Sequence, residues 1–385
     1  MSPSTATGAA AFISLFANLR DPRVERTRKH PLANVVVIAV LGVLAGCEGW
    51  DDVHDWGILK QEWLSTFLDL REGIPSADVV RRVFEAIRPK EFQACFAKLI
   101  AAWVATMTEP RVVAIDGKTL RRSFDTATGR TPLHLVHAWM ANHHILLGQL
   151  ATDAKSNEIT AIPALLEMLD LRGSVVTMDA MGTQKAIIAK VVEKNADYVV
   201  APKDNHPTLR AEVEKALEPL MQASRAPKRQ RSYERSEAHG RTETRTVFSL
   251  AAPAQLFERD EWAKLTSLVG IRSTRYVDGK LSIENRYYLA SPPPDAHVLA
   301  GVIRSHWSVE NQLHWCLDVQ LREDSSRIRS RNGADNFAWL RRFALMKIKR
   351  YPLRKRGVAA TQRLANAANE LLLNLLLTEL PNAEQ

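Results

Sequence analysis

Two aspartates directly follow short apolar segments that are rich in β-branched residues. Asp116 follows residues 112–115, and Asp179 follows residues 175–178. Such segments are typical of buried strands, and in open α/β sheets ligands bind outside the carboxyl ends of the strands. If the two strands are neighbours, the carboxylates converge and raise one another's pKa unless a cation lies between them. The pair is therefore a candidate site for Mg²⁺ or Mn²⁺, although each aspartate could equally end its strand or cap the next helix. Gly117 would leave room for a substrate beside the backbone.

A third acid, Glu310, lies in a segment of helical period. His306 and His314 stand four residues before and after it, so the three side chains share one face of a helix. Apolar residues on another face are predicted to be buried, and these are Trp307, Leu313 and Leu317. Three interpretations are open for the polar face: exposure to solvent, a zinc site, or a helix laid against the sheet whose glutamate completes the carboxylate site.

The order of predicted elements places both aspartates in an α/β fold. From residue 111 the periodicity predicts strand, strand, strand, helix, strand, helix, strand, helix. A polar, basic linker is predicted over 223–236. Three added strands and two helices follow, over 242–250, 266–276, 282–290, 307–319 and 337–349. We therefore predict an α/β domain over 108–350 with a β-rich insertion at about 223–291, followed by a helical tail over 351–385.

Residues 1–107 are predicted to form a separate, all-helical domain. Pro22 and Pro31 interrupt the helical periodicity, a helix is predicted over 50–68, and Ser76 is the expected N-cap of a helix over 79–87. Such a bundle could pack or dimerise the protein, or bind DNA through a helix-turn-helix. The sequence leaves both interpretations open.

The composition is that of a folded, intracellular protein of two or three domains. Its 385 residues are 46% hydrophobic and 25% charged, which excludes a disordered or collagen-like chain. The three cysteines follow no metal-ligand pattern and indicate a reducing compartment. The longest apolar run, residues 35–47, is too short to span a bilayer, and no basic residues precede the apolar stretch at 9–16. We expect a cytoplasmic protein without a membrane partner.

The net charge of +9 is concentrated in one segment. Residues 321–356 contain twelve Lys or Arg and three Asp or Glu. The net charge of this segment, +9, equals that of the whole chain. We predict that duplex DNA contacts this segment, with Arg327, Arg329 and Arg331 alternating along an extended stretch. A solvated basic helix is the alternative. Further candidate phosphate contacts are Lys118, Arg121, Lys203 and Arg304.

Longer motifs surround the three acids. Ala-Ile-Asp-Gly-Lys and Thr-Met-Asp-Ala-Met-Gly-Thr-Gln carry the two aspartates, and Val-Val-Ala-Pro-Lys-Asp-Asn follows them. His-Trp-Ser-Val-Glu-Asn-Gln-Leu-His-Trp-Cys-Leu-Asp-Val carries Glu310. These motifs, and above all the last, resemble the H-repeat-associated, DDE-type transposases of bacterial insertion sequences. Arg-Lys-His-Pro-Leu and Leu-Ala-Gly-Cys-Glu-Gly-Trp resemble that family's associated N-terminal region, so the likeness covers about residues 10–350.

This resemblance implies an RNase H-like catalytic core, with the β-rich insertion between the second aspartate and the glutamate. Asp116, Asp179 and Glu310 match the catalytic triad of the family. The family implies two Mg²⁺ or Mn²⁺ ions, which cleave and transfer DNA strands. Its substrates would be the terminal inverted repeats of an element and target DNA, held in a homodimer or larger synaptic complex at the nucleoid.

Two other functions stay open on sequence alone. The first is an immobile, transposase-derived DNA-binding protein or nuclease, although all three acids are present. The second is a glycosidase with paired carboxylates, which the aromatic content of 7% and the basic segment disfavour.

Overall fold

The computed structural model describes residues 3–107, 111–124, 129, 131–152, 158–238, 241–278, 280–351, 353 and 356–378. Within these residues the chain is a mixed α/β protein with one large sheet and many helices. Helices from both ends of the sequence pack together beside the sheet.

Seven α-helices precede the first strand in the described part of the chain. They are α1 (Pro3–Ser14), α2 (Leu32–Ala45), α3 (Trp50–Leu59), α4 (Gln61–Leu64), α5 (Ala77–Ala86), α6 (Pro89–Ala94) and α7 (Ala97–Ala105). Helix α2 is apolar on nearly every side and is almost wholly buried. Oγ of Ser76 accepts the N–H of Val79 at 3.3 Å, which confirms the predicted N-cap. The helix predicted over 50–68 is two helices, because the chain turns at Lys60.

Three consecutive strands are followed by three α-helices, with one strand between each helix and the next. They are β1 (Arg111–Thr119), β2 (His134–Met140), β3 (Ile145–Thr152), α8 (Glu158–Glu167), β4 (Ser174–Met178), α9 (Lys185–Glu193), β5 (Asp197–Val200) and α10 (Pro207–Gln222). Strands β1, β4 and β5 are parallel neighbours, and β1, β2 and β3 are antiparallel neighbours. Strand β1 continues beyond Asp116 to Thr119, because these residues still pair with β2, whereas the sequence predicted that it ends at Asp116.

The insertion extends the same sheet. Its strands are β6 (Arg231–Ala238), β7 (Arg241–Ala251), β8 (Ser267–Val277) and β9 (Lys280–Ala290). Strand β9 pairs antiparallel with β5, which gives the order β3-β2-β1-β4-β5-β9-β8-β7-β6. The prediction of a linker over 223–236 is wrong from residue 231 onward, because these residues pair with β7 along the whole of β6. Strand β6 lies at the sheet edge and is mostly exposed, so it has no apolar period that would reveal a strand.

The C-terminal helices return to the N-terminal ones. They are α11 (Ala296–Val309), α12 (Arg331–Arg350), α13 (Val358–Ala367) and α14 (Asn369–Leu377). Helix α12 packs against α2, α5 and β3, and α14 packs against α1 and α2. The ring of Phe343 on α12 lies 4.7 Å from that of Phe96 and 6.1 Å from that of Phe12. These contacts favour a packing role for the N-terminal helices.

No single helix among the described residues is long and apolar enough to cross a membrane. The helices Leu32–Ala45 and Trp50–Leu59 meet those criteria when taken as a pair, with a bend of 94° between them.

Candidate active site

Strands β1 and β4 bring the two aspartates to one edge of the sheet. The parallel register pairs Ile115 with Met178, so Asp116 and Asp179 follow at equivalent positions of adjacent strands. The side chain of Asp116 is 26% exposed, and its Oδ1 accepts the N–H of Gly117 at 2.8 Å. Asp179 is exposed, and its Oδ1 accepts two backbone N–H groups of the turn that follows β4. Both carboxylates therefore lie where the parallel pairing of their strands ends.

Helix α11 carries Glu310 to the same edge. It packs against β1 and β4, and its regular geometry ends at Val309, where the backbone widens into a π-helix over Glu310–His314. Nδ1 of His314 lies 3.4 Å from Oε2 of Glu310 and 3.8 Å from Oδ2 of Asp116. One ligand atom of each of these three residues lies within 4.8 Å of the other two. The arrangement can therefore hold a metal ion.

The carboxylates act on one another electrostatically. Burial is the main cause that raises the pKa of the Asp116 carboxyl, to about 7. Neighbouring carboxylates raise it in the same direction, and they are those of Glu310, Asp179 and Glu158. A divalent cation among them would offset this repulsion, and carboxylate oxygens are its preferred ligands. The residues present thus fit a hard divalent metal.

In the absence of metal, Asp116→Asn is expected to stabilise the protein at pH 8. An unfolded aspartate has a pKa near 3.9, so between about pH 4 and pH 7 the folded chain keeps a proton that the unfolded chain has lost. The stability of the wild type therefore falls as the pH rises through this window. Asparagine avoids this loss, so in EDTA at pH 8 its free energy of unfolding should exceed that of the wild type by roughly 1–4 kcal/mol. Urea unfolding at several pH values measures the difference.

Glu62→Gln is the control for this measurement, because it removes an exposed carboxylate from an N-terminal helix. Its stability should follow the wild type at every pH. An Asp116→Asn protein that is no more stable than the wild type at pH 8 would show that burial and neighbouring carboxylates do not destabilise the charged Asp116 side chain.

Two buried histidine contacts lie beside the acids. Nε2 of His314 is 3.2 Å from Nε2 of His137, which is fully buried on β2 and pairs in register with Asp116. Nε2 of His134, also on β2, is 2.7 Å from Oε1 of the buried Glu158. The sequence pointed to His314 but not to His134, His137 or Glu158 as site residues. The available signal was a pair of histidines in an otherwise apolar strand.

The structure assigns Gly117 a different role from the predicted one. A Cβ atom at this position would lie 2.3 Å from Oε1 of Glu158 and 2.5 Å from Nε2 of His134. The glycine therefore accommodates the buried histidine–glutamate pair and does not make room for a substrate.

The predicted polar face of the helix is divided between two strands. Nδ1 of His306 is 3.0 Å from Oγ1 of Thr177 on β4, whereas His314 faces Asp116 on β1. Burial lowers the pKa of His306 to about 4 and that of His314 to about 3, so both rings are neutral at pH 7. The packing face is only partly as predicted. Leu313 and Leu317 are buried, but Trp307 is 41% exposed, and the guanidinium of Arg286 lies over its ring at 4.2 Å.

Comparison with known proteins identifies the family. Residues 107–347 match the transposase DDE domain, and residues 13–100 match the region associated with that domain. The chain belongs to the DDE transposase family. YhhI of Escherichia coli strain K12, which is named as an H repeat-associated transposase, is 36% identical over 357 residues, 90% of this chain and 93% of that protein. YncI of Escherichia coli O157:H7, also named as a transposase, is 38% identical over 333 residues, 84% of each chain.

These matches make the protein an insertion-sequence transposase, an enzyme of the polynucleotidyl transferase class, and they confirm the resemblance read from the motifs. A solved structure, the piggyBac transposase synaptic complex with hairpin DNA, aligns over 97% of this chain and 81% of that chain. The identity is 11% and the TM-score is 0.40.

The basic residues that were predicted to contact DNA are differently placed in the transposase. Arg327, Arg329 and Arg331 are exposed; the first two lie in the extended stretch before α12, and Arg331 is the first residue of that helix. Lys203 is exposed and lines a cavity that also borders Asp179. All four cations face solvent. Lys203 lies near Asp179, and the three arginines follow the segment that carries Glu310.

Three others are engaged by acids of the transposase itself. Lys118 is 9% exposed, and its Nζ lies 2.6 Å from Oδ1 of Asp318. Two more are exposed but paired, Arg121 with Asp324 and Arg304 with Glu234. The Lys118 ammonium is therefore engaged by Asp318 in the DNA-free protein.

The basic segment 321–356 is not a DNA surface along its whole length. Arg341, Arg342 and Lys347 are at most 2% exposed. Arg341 donates to the backbone oxygen of Glu48, and Arg342 pairs with Glu323. These cations attach α12 to its neighbours. Arg354 and Lys355, also counted in the segment, lie outside the described residues.

Proposed function

We propose that this transposase cleaves and joins DNA strands at the ends of its insertion sequence by metal-dependent chemistry, with Asp116, Asp179 and Glu310 as the catalytic acids. One observation carries the proposal: carboxylates from two adjacent strands and one helix converge on Asp116, whose pKa is raised to about 7 by burial first and by these carboxylates in addition. Carboxylates that are unfavourable to ionise together are stabilised by divalent cations, so the site suits a reaction that requires such ions.

Asp116, Asp179 and Glu310 would hold two Mg²⁺ or Mn²⁺ ions. Such ions stabilise the attacking and leaving oxygens of an in-line displacement at phosphorus. The chain itself supplies position and charge. Two sheet strands fix the aspartates, and α11 fixes the glutamate against that sheet. Because both cleavage and strand transfer are displacements at phosphorus, one site can carry out both.

We propose that β1–β5 form an RNase H-like core. The order β3-β2-β1-β4-β5, with the first three strands antiparallel and the last three parallel, supports this assignment. The chain would comprise a helical domain over 1–107, the catalytic domain over 108–350 with its insertion at about 223–291, and a helical tail over 351–385. The position of β6–β9 between Asp179 and Glu310 agrees with the insertion expected for the family.

We propose that the DNA partner is duplex DNA: the terminal inverted repeats of the element and a target. The exposed arginines before and at the start of α12 support contact with phosphates. Because the two ends of an element must be joined in one reaction, a homodimer or larger synaptic complex is the proposed active form, acting in the cytoplasm at the nucleoid.

Neutralising Arg327, Arg329 and Arg331 together is expected to weaken DNA binding and to flatten its dependence on salt. If each arginine contacts one phosphate, the slope of log affinity against log salt should fall by roughly 2–3. Fluorescence anisotropy with labelled duplex at several salt concentrations measures both quantities.

The control replaces Arg172, Lys190 and Lys194, which already form ion pairs with Asp170 or Glu167. Its salt slope should match that of the wild type. If the slope of the Arg327, Arg329 and Arg331 variant also equals the wild-type slope, DNA does not lie along this stretch.

A further inference from the structure

We infer that His314 is a third ligand to the metal ion held by Asp116 and Glu310, and that His137 holds its ring in the ligating orientation. The inference rests on the proposed function for the existence of the metal site, and it goes beyond the three acids. It assigns a nitrogen donor to a site that would otherwise be made of oxygen.

The first step is the composition of the cluster. Among the described residues, Asp116, Glu310 and His314 each offer a ligand atom within 4.8 Å of the others. Asp179 is not a member of this set, and its Oδ1 is occupied by the N–H groups of Met181 and Gly182. If two ions are bound, Asp179 is placed to serve the other one.

The second step is the direction of the imidazole ring. Nδ1 of His314 faces the carboxylates of Glu310 and Asp116, at 3.4 Å and 3.8 Å. The side chain is 10% exposed, so solvent does not compete for this nitrogen over most of its surface. The π-helix helps to place it, because the wider turn keeps residue 314 beside residue 310.

The third step is the location of the ring proton. Nε2 of His314 lies 3.2 Å from Nε2 of His137, and two ring nitrogens at this distance share one proton. When His314 donates that proton to His137, its Nδ1 is left with a lone pair directed at the carboxylates. His137 is fully buried in β2, so the sheet fixes the acceptor. Metal-binding histidines usually donate their second ring N–H in this way.

The consequence is a preference among metals. Mg²⁺ is a hard ion that favours oxygen, whereas a ring nitrogen favours the transition metals. The site should therefore bind Mn²⁺ more tightly than Mg²⁺. Replacing the nitrogen should lower the affinity for Mn²⁺ by roughly tenfold or more while changing that for Mg²⁺ much less.

Electron spin echo envelope modulation of Mn²⁺ bound to the full-length, DNA-free transposase tests the inference. We expect modulation from a coordinated imidazole nitrogen in the wild type, and its loss in His314→Asn, whose side chain offers an oxygen near the position of Nδ1. His306→Ala is the matched control, because it removes a half-buried imidazole that lies on the preceding helix, α11, and contacts Thr177 instead of the acids. It should keep the signal.

Isothermal titration calorimetry of the same proteins with Mn²⁺ and Mg²⁺ gives the second measurement. A wild-type protein that binds Mn²⁺ without nitrogen coupling, or that does not bind it without DNA, would overturn the inference. The wild-type spectrum needs no substitution, so a misfolded variant cannot decide the result. Cleavage by the three acids without nitrogen coupling would leave the proposed function intact. Nitrogen coupling without cleavage would support His314 as a metal ligand and contradict the proposed function.

Discussion

Replacing any one of Asp116, Asp179 and Glu310 with its amide is expected to lower the rate of DNA strand cleavage by roughly 10³-fold or more. Each amide keeps the shape of the side chain but removes a negative charge from the group that would hold the metal ions, so the charge that develops at phosphorus is no longer stabilised. DNA binding should remain within about threefold, since phosphate contacts come from cations elsewhere. Cleavage of labelled element ends in Mn²⁺ and anisotropy with the same duplex give the two readings.

Asp204→Asn is the matched control for these variants. Asp204 also follows a strand of the sheet, β5, but its carboxylate is exposed and pairs with Arg210. This variant should cleave DNA at the wild-type rate within about twofold. Near-wild-type cleavage by the Asp116, Asp179 or Glu310 variant would remove that residue from the catalytic site.

Arg342→Met is expected to destabilise the transposase by about 3–5 kcal/mol. The side chains of Arg342 and Glu323 are both fully buried, and the guanidinium approaches the carboxylate at 2.6 Å and 3.4 Å. Removing one partner leaves the other charge buried without compensation. The effect reaches the site, because the pair connects α12 to the turn that follows the segment of Glu310. Urea unfolding of the two proteins measures the loss.

A surface pair provides the comparison. Arg172 and Asp170 are 75% and 61% exposed, so Arg172→Met should cost about 1 kcal/mol or less. The double variant Arg342→Met, Glu323→Leu should recover part of the loss, because it removes both buried charges. If Arg342→Met costs no more than Arg172→Met, the buried pair does not stabilise α12.

The strand-end aspartates were accessible to sequence reasoning because their signal is local. A β-branched run that stops at an acid predicts both the strand and the position of the carboxylate, and the parallel pairing of Ile115 with Met178 brings the two together. Glu310 required the family motif, since its helix gives no indication of which sheet edge it meets.

The surroundings of the acids could not be predicted, because they depend on contacts between distant segments. His137 meets His314 across 177 residues of chain, and Gly117 is required by Glu158, forty-one residues further on. Burial of Arg342 likewise depends on Glu323, so counting charges could not separate a structural cation from one that faces DNA. The sequence predicts a linker in place of the edge strand β6 for the same reason, since its partner β7 supplies the pairing.

The most direct test is to incubate the wild-type transposase with a plasmid that carries its own element and flanking DNA, in Mg²⁺, Mn²⁺ or EDTA, and to map the strand breaks. We expect breaks at the element boundaries that leave 3′-hydroxyl ends, in either metal, and none in EDTA or with Glu310→Gln. Breaks that persist in EDTA, or no metal-dependent breaks at the boundaries, would contradict metal-dependent transposition chemistry at Asp116, Asp179 and Glu310.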